Sequence, residues 1–454
     1  MSSENRSSFT GKIGFVLATA GSAVGLGNIW RFPYLAAKYG GGMFLLVYII
    51  LAVTFGFSLM VAEVAIGRKT GKSAIDAFQA LDRRFTWVGW LAAIIPTIIL
   101  PYYSAIGGWV IKYMTGFISG HAHTMANDSF FTDYIGVTVE PIVWFFVFIG
   151  ITALVVMCGV EKGVEKVSKF MMPILVVLIL VIALYTIITM DGAVEGVVYF
   201  LKPDFAHFSV MTVVAAMGQL FYSMSLAMGI MITFGSYMKK EISIEGSTHQ
   251  IEIFDTGVAI LAGLMIIPAV FAFSGGDETA LGKGPGLMFI TLPKVFDAMP
   301  GGDIIGAAFF IMVLFAALTS AISLMETIVS IFQDKLKMKR IPACLTVLGI
   351  SLVLGTATCL GYSAWSSFTV IGMQLLDFFD FISNNILMPI TALATAIFIG
   401  YILMPKAIIE EAEECGNTLK AKKLFTVMIK YIAPIFIVAI LISSILDFFG
   451  IIKI

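Results

Sequence analysis

The amino-acid sequence predicts an all-α, polytopic membrane protein, and three observations lead to that prediction. First, 59% of the residues are hydrophobic and only 13% are charged, whereas a soluble domain carries about 25% charged residues. Second, apolar stretches long enough to cross a bilayer recur along the whole chain. Third, two of these stretches are interrupted by glycines and polar residues. The formal net charge of −1 does not indicate a nucleic-acid partner, and the four scattered cysteines indicate neither a disulfide framework nor a thiolate metal site.

The apolar stretches predict about eleven transmembrane helices within a single domain, residues 1–454, surrounded by lipid. Each stretch has roughly 18 to 30 residues, enough to cross about 30 Å of hydrocarbon at ~1.5 Å per residue. The predicted spans are residues 13–37, 42–67, 87–116, 141–158, 170–190, 211–238, 255–274, 302–332, 341–360, 373–403 and 424–447.

Basic residues predict the orientation of the spans. Most of the 28 Lys and Arg residues fall in alternate loops, as in the clusters Arg68–Lys72, Lys335–Arg340 and Lys420–Lys423. Positive charge is retained on the cytoplasmic side, which predicts a cytoplasmic N-terminus. An odd number of spans then predicts an extracytoplasmic C-terminus. The mixed-charge segment 405–423 is expected to be a solvated cytoplasmic helix.

The first and sixth spans contain the interruptions. Residues 20–28 read AGSAVGLGN and residues 218–229 read GQLFYSMSLAMG. Each glycine lowers helix stability by ~1 kcal/mol, and backbone groups freed at membrane depth need partners in protein, water or a ligand. Interruptions five helices apart predict an inverted repeat of five plus five helices, residues about 10–190 and about 205–403, with an extra helix at about 424–447. The alternative is that the glycines only permit close helix packing.

The sequence GSAVGLGNIWRFP at residues 21–33 strongly resembles the first-helix signature of the neurotransmitter:sodium symporters, and GGGMF follows at residues 40–44 as in that family. The resemblance covers essentially the whole chain and is strongest to short bacterial members with eleven helices that carry tyrosine, tryptophan or other hydrophobic amino acids. It implies the leucine-transporter fold, the bacterial inner membrane, and sodium-coupled symport of a neutral hydrophobic or aromatic L-amino acid by alternating access. No obligate protein partner is implied.

The resemblance also implies two sodium ions bound by carbonyl and hydroxyl oxygens. The second site maps to Gly21, Val24, Ala316, Thr319 and Ser320. The first site maps to Ala23, Asn28 and Ser223, with the carboxylate of the substrate as a further ligand. A shared ligand makes ion and substrate improve each other's affinity. The alternative for Thr319 and Ser320 is hydrogen bonding to the preceding turn of their own helix.

Asp255 stands at the predicted start of the seventh span, where a carboxylate is costly unless it is paired or functional. In the family this region holds either a ligand of the first sodium or, one turn on, the group beside the chloride site, and both assignments remain open. An acidic group here implies chloride-independent transport. The alternative is an interfacial aspartate that caps the helix.

The substrate pocket is also assigned by resemblance. Amine-transporting relatives carry an aspartate where this chain has Gly25, so Gly25 leaves room for an α-carboxylate, which Tyr103 is expected to bind. The implied pocket consists of Ala23, Gly25, Gly27, Ile99, Tyr103, Ile106, Tyr222, Ser223, Ser225, Met228, Ser320 and Leu324. This mostly apolar set favours a large aliphatic or aromatic amino acid such as leucine, tyrosine or tryptophan.

Two charged pairs resemble the gates of the family. Arg31 and Asp380, bridged through Gln219, resemble the outer pair. Arg6 and Asp334 resemble the inner pair. These assignments place one closure on each side of the predicted pocket.

Three other functions compete with transport. A membrane-embedded sensor that binds an amino acid without transporting it would need a signalling domain, and the predicted loops are too short for one. An enzyme is disfavoured because the four histidines fall in predicted loops, with no His–Glu pair on a predicted helix. A channel is disfavoured because no ring-forming filter motif is present.

Overall fold

The computed structural model describes residues 8–275 and 285–451. Within these residues the chain is helical, and its only extended pairings are two isolated bridges, Gly41 with Pro203 and Val370 with Met373. In the described ranges, nine helices are long and apolar enough to cross a membrane, and a bent pair makes ten. The shorter apolar helix Val210–Ser223 and the helix Ile230–Gly235 lie in the region of the predicted sixth span. The all-α polytopic fold class is confirmed.

The spans are numbered here in chain order. Span 1 is Lys12–Ala23 (1a) and Gly27–Lys38 (1b), which differ in direction by 55°. Span 6 is Val210–Ser223 (6a) and Ile230–Gly235 (6b). The unbroken spans are 2 (Gly42–Thr70), 3 (Arg83–Ile118), 4 (Val139–Met157), 5 (Val160–Thr189), 7 (Ile244–Ser274), 8 (Gly302–Leu336), 9 (Arg340–Leu360), 10 (Leu375–Leu403) and 11 (Lys422–Phe448).

Short helices connect the spans. They are Ala74–Leu81, Ala122–Met125, Phe130–Gly136, Ala193–Leu201, Leu287–Thr291, Leu292–Ala298 and Pro405–Ala412. The face of the bundle at which span 1a begins is called the N-terminal face below. Span 1a packs against spans 5, 7 and 8, so the interrupted span lies in the centre of the protein.

Span 7 begins eleven residues earlier than the sequence predicts, at Ile244. Its first three turns carry Glu245, His249 and Glu252, whose polarity hides this part of the helix from hydropathy. Asp255 therefore lies inside the helix and is fully buried, and the interpretation as an interfacial cap is wrong. The histidine prediction is wrong for the same reason, because His249 Nδ1 lies 3.0 Å from Glu252 Oε2 on this helix.

Spans 2 and 6b are in backbone contact. A methyl group on Gly67 would lie 1.9 Å from the carbonyl oxygen of Ile232, and one on Gly235 would lie 2.3 Å from that of Val64. Both distances are shorter than any side chain allows, so glycine is required on each helix. This contact fixes the second half of the broken sixth span to span 2.

A buried ion pair joins the end of span 2 to the helix Pro405–Ala412. The Arg68 and Glu411 side chains are 0% and 3% exposed, with Nε and Oε1 2.8 Å apart. Arg68 also donates to the carbonyl oxygen of Ile242 at 2.7 Å, and Lys240 donates to Glu411 at 2.8 Å. The expectation of a solvated helix in segment 405–423 is therefore wrong for one side of the helix, because Ile408, Glu411 and Ala412 are buried in the bundle.

Candidate cation and substrate site

The breaks in spans 1 and 6 face each other at the centre of the bundle. Within the break of span 6, Ser225 and Ala227 have φ angles of 53° and 63°, a conformation that costs energy for residues with a side chain. Glu63 of span 2, which is 2% exposed, supports this backbone by accepting the N–H of Ala227 at 2.7 Å. The sequence interpretation missed Glu63, although a carboxylate inside an apolar span is itself a signal of function.

The five residues of the predicted second sodium site lie together between spans 1a and 8. Ser320 Oγ lies 3.5 Å from the carbonyl oxygen of Gly21 and 3.4 Å from that of Val24. Thr319 Oγ1 donates to the carbonyl oxygen of Ala316 at 3.1 Å. The intrahelical alternative is thus realised by Thr319, whereas Ser320 reaches across to span 1. We call these residues the second cation cluster.

Asp255 lies among the residues of the predicted first sodium site. Its Oδ1 accepts from Asn28 Nδ2 at 2.8 Å, and its Oδ2 accepts from Ser223 Oγ at 3.0 Å and from Tyr48 OH at 3.1 Å. All four side chains are buried, and Ala23 lies at the adjacent break in span 1. Tyr48 was missed because its predicted span is uniformly apolar around it. We call Ala23, Asn28, Ser223 and Asp255 the first cation cluster.

The chemistry of the two clusters suits a hard monovalent cation. Their potential ligands are oxygens, from carbonyl, hydroxyl, amide and carboxylate groups, with a single formal negative charge. Transition metals favour imidazole and thiolate ligands. In the described part of the chain, no group of three or more His, Cys, Asp or Glu side chains could hold a metal ion.

A small cavity of ≈ 40 Å³ lies between the two breaks. It is lined by all the predicted pocket residues except Ile106, and by three that were not predicted: Ser22, Leu26 and Ile230. Ile106 instead lies on the wall of a larger cavity. A cavity of ≈ 40 Å³ holds only a few water molecules, since one water needs about 10–15 Å³ of such space. The side chains around the cavity must therefore move apart to admit an amino acid.

The larger cavity, of ≈ 510 Å³, lies beyond Tyr222 on the side away from the N-terminal face and contains the predicted outer pair. The Arg31 guanidinium lies 5.3 Å from the centre of the Tyr222 ring. Asp380 accepts from Tyr102 OH at 3.1 Å and from Asn384 Nδ2 at 2.6 Å. Among the residues described, Arg31 and Asp380 form no ion pair in this conformation, although both line the cavity, and their role as an outer gate stays a prediction.

The predicted bridge through Gln219 is also absent from this conformation. Gln219 is fully buried, and its Nε2 donates to the carbonyl oxygen of Gly27 at 3.0 Å. Its Oε1 has no hydrogen-bond partner in the described part of the chain. The side-chain amide of Gln219 is therefore hydrogen-bonded to span 1b, which carries Arg31, and not to Asp380.

The predicted inner pair can be described only in part, because Arg6 lies outside the described residues. Asp334, near the end of span 8, accepts the backbone N–H of Ser73 at 2.7 Å. Phe9 is fully buried and packs edge-on against Phe234, with 5.6 Å between the ring centroids. The N-terminal face is thus closed by packed side chains beneath the small cavity.

A cavity between two broken helices, with clustered oxygen groups at its edge and a larger cavity on one side, fits the architecture of a secondary transporter that binds a solute at membrane depth. The comparisons with known proteins agree. The family model described as the sodium:neurotransmitter symporter family matches residues 6–135 and 132–451. The chain belongs to this family, whose members are transporters and not enzymes.

Individual relatives match over nearly the whole chain. The uncharacterised sodium-dependent transporter YhdH of Bacillus subtilis is 35% identical over 98% of this chain and 99% of its own length. An uncharacterised sodium-dependent transporter of Haemophilus influenzae is 32% identical over 97% of this chain and 98% of its own. The crystal structure of MhsT in complex with L-phenylalanine matches with a TM-score of 0.87 and 34% identity, over 97% of this chain and 100% of MhsT. The chain is therefore a sodium-dependent symporter with the leucine-transporter fold.

Proposed function

We propose that this protein carries a neutral hydrophobic or aromatic L-amino acid together with two sodium ions and without chloride. The observation that carries the proposal is the position of Ser223, whose hydroxyl donates to Asp255 and whose side chain also lines the small cavity. A cation held by the first cluster would touch the occupant of the cavity. The carboxylate of an amino acid would then complete the coordination, which couples the two affinities.

The polar and apolar parts of the cavity support an amino acid as its occupant. The hydroxyl of Tyr103 accepts the N–H of Leu26 at 3.4 Å and faces Gly25, at the break of span 1. The lining also includes the apolar side chains of Ile99, Met228 and Leu324. A carboxylate beside Tyr103 and an apolar side chain beside these three residues would satisfy both kinds of lining, and MhsT is described with bound L-phenylalanine.

Asp255 supports chloride independence. Its carboxylate supplies a fixed negative charge beside the first cation cluster, so a mobile anion is not needed to balance the cation. It accepts donors from Asn28, Ser223 and Tyr48, and such donors are needed when a charge is buried in a membrane protein. Of the two assignments left open by the sequence, this geometry favours the sodium ligand, and we propose that the same carboxylate also replaces chloride.

We further propose that the N-terminal face is cytoplasmic and that the protein resides in a bacterial inner membrane with an extracytoplasmic C-terminus. The basic clusters Arg68–Lys72 and Lys335–Arg340 lie at the ends of spans 2 and 8 on this face, as the positive-inside bias requires. The interruptions of spans 1 and 6 support two repeats at about 10–190 and 205–403 in one transport domain, followed by an extra helix at 424–447.

Uptake into proteoliposomes tests the proposal. Labelled phenylalanine, leucine, tyrosine, tryptophan and alanine are offered under an inward sodium gradient, with external chloride present or replaced by gluconate. We expect sodium-dependent accumulation that gluconate does not reduce. Sodium-dependent binding without accumulation would instead identify an amino-acid sensor, and loss of uptake in gluconate would refute chloride independence alone.

The variant Asp255→Asn tests the fixed charge. Asparagine keeps one oxygen ligand but removes the negative charge, so we expect uptake to be lost in gluconate and restored by added chloride. Asp133→Asn is the matched control, because Asp133 lies in the short helix Phe130–Gly136 outside the spans. An Asp255→Asn protein that is equally active, or equally inactive, with and without chloride would refute this role.

A further inference from the structure

Glu165 is a buried carboxylate that contacts the start of span 1a from span 5. It ends the π-helical turn Val160–Glu165 with which span 5 begins, and its side chain is 2% exposed. Its Oε2 accepts the backbone N–H of Thr10 at 2.9 Å, and its Oε1 accepts the hydroxyl of the same residue. Lys169, one turn further along span 5, donates to Oε1 at 2.6 Å.

The contact lies beside the N-terminal end of span 1a. The first turn of a helix has free N–H groups and a partial positive charge, both of which favour a nearby carboxylate. A methyl group on Gly14 would lie 2.2 Å from Glu165 Oε1, so the glycine leaves the space that the carboxylate occupies. Span 1a begins at Lys12, and Gly11 stands before it with nothing within 4 Å of an added methyl group.

Residues 9–11, here called the N-terminal strap, are also held by the segment that follows span 6b. The N–H of Phe9 donates to the carbonyl oxygen of Tyr237 at 3.2 Å, and Lys239 Nζ donates to the carbonyl oxygen of Thr10 at 3.2 Å. Thr10 is therefore fixed on one side by span 5 and on the other by the segment that follows span 6b. The strap joins three of the elements that surround the site.

The Glu165 contact lies between the second cation cluster and the N-terminal face. Ser168, three residues further along span 5, has its Oγ 3.5 Å from the position of a methyl group on Gly21. The carbonyl of Gly21 belongs to the second cation cluster. Span 5 thus contacts span 1a at this cluster through Ser168. Nearer the N-terminal face, it contacts the strap through Glu165.

We propose that Glu165 is a positioning residue that holds the strap against span 5 and so keeps the second cation cluster closed to the N-terminal face. Release of the second ion to that face then requires Thr10 and Glu165 to separate. The inference rests on the sodium-coupled transport proposed above, but the closure itself can be measured without any substrate.

The test uses a cysteine at Ser168 as a reporter, in a chain whose four cysteines are replaced by serine. The rate of maleimide labelling of purified protein in potassium buffer measures how often the path to the cluster opens. Glu165→Ala removes the carboxylate, and Gly14→Ala displaces it by its methyl group. Glu161→Ala, an exposed position in the same turn, and Gly11→Ala are the matched controls.

We expect Glu165→Ala and Gly14→Ala each to label about tenfold faster than the reporter protein, which corresponds to the loss of ~1.4 kcal/mol. We expect the two controls to label at the rate of the reporter protein. The double variant Gly14→Ala, Glu165→Ala should label no faster than Glu165→Ala, because both changes break the same contact. Unchanged rates, or additive effects in the double variant, would overturn the proposal. Sodium-dependent uptake by the unmodified protein is measured separately. Absence of uptake would therefore refute the proposed transport function without affecting the inferred role of Glu165.

Discussion

The substitution Gly25→Ala tests the assignment of the small cavity as the amino-acid pocket. A methyl group on Gly25 would lie 2.7 Å from Ser320 Oγ and 3.1 Å from Tyr103 OH. Both hydroxyls have partners, since Ser320 donates to the carbonyl oxygen of Ser22 at 3.1 Å and Tyr103 accepts the N–H of Leu26. The methyl group therefore displaces one hydroxyl of the second cation cluster and occupies the space expected for a carboxylate.

The cost of this substitution can be worked from the contacts. Overpacking a closed site costs ~1–3 kcal/mol, which corresponds to about a 5- to 150-fold loss of affinity. The assay is equilibrium binding of a labelled amino acid, identified by uptake, to purified protein with and without sodium. Gly257→Ala in span 7 is the control, because nothing lies within 4 Å of the added methyl group. Unchanged affinity in Gly25→Ala would show that the substrate carboxylate binds elsewhere.

Two further predictions follow from other contacts. Tyr103→Phe removes the hydroxyl beside Gly25. The lost hydrogen bond to the substrate carboxylate costs ~1.5–3 kcal/mol, so substrate binding weakens by tenfold or more. The control Tyr401→Phe, at an exposed tyrosine of span 10, leaves binding unchanged, and an equal loss in both variants would contradict the assignment. Arg68→Ala removes the ion pair and leaves Glu411 buried beside Lys240. The loss of ~3 kcal/mol of folding free energy lowers the melting temperature in detergent. The control Arg84→Ala, at an exposed arginine, leaves the melting temperature unchanged.

The sequence predicted the architecture well because its signals are local. Apolar stretches mark the spans, and glycines with polar residues mark the breaks at residues 20–28 and 218–229. The first-helix motif then assigned most of the pocket. The boundaries were wrong where a helix extends beyond the apolar stretch on polar residues, as at Glu245 and His249 of span 7. Hydropathy reports the solvent around a helix and not its hydrogen bonds, so it cannot detect such an extension.

The contacts that sequence reasoning missed connect residues far apart in the chain. Tyr48 lies in an apolar stretch of span 2 that gives no sign of its role, yet its hydroxyl donates a hydrogen bond to Asp255 of span 7. Arg31 and Asp380 share a cavity as expected, but each has a nearer partner, the ring of Tyr222 for Arg31 and the hydroxyl of Tyr102 for Asp380. A family motif identifies which residues can pair, whereas the conformation decides which of them do. The strap at Thr10 is closed while the outer pair is apart, and this asymmetry is what a transporter requires when its pocket faces away from the N-terminal face.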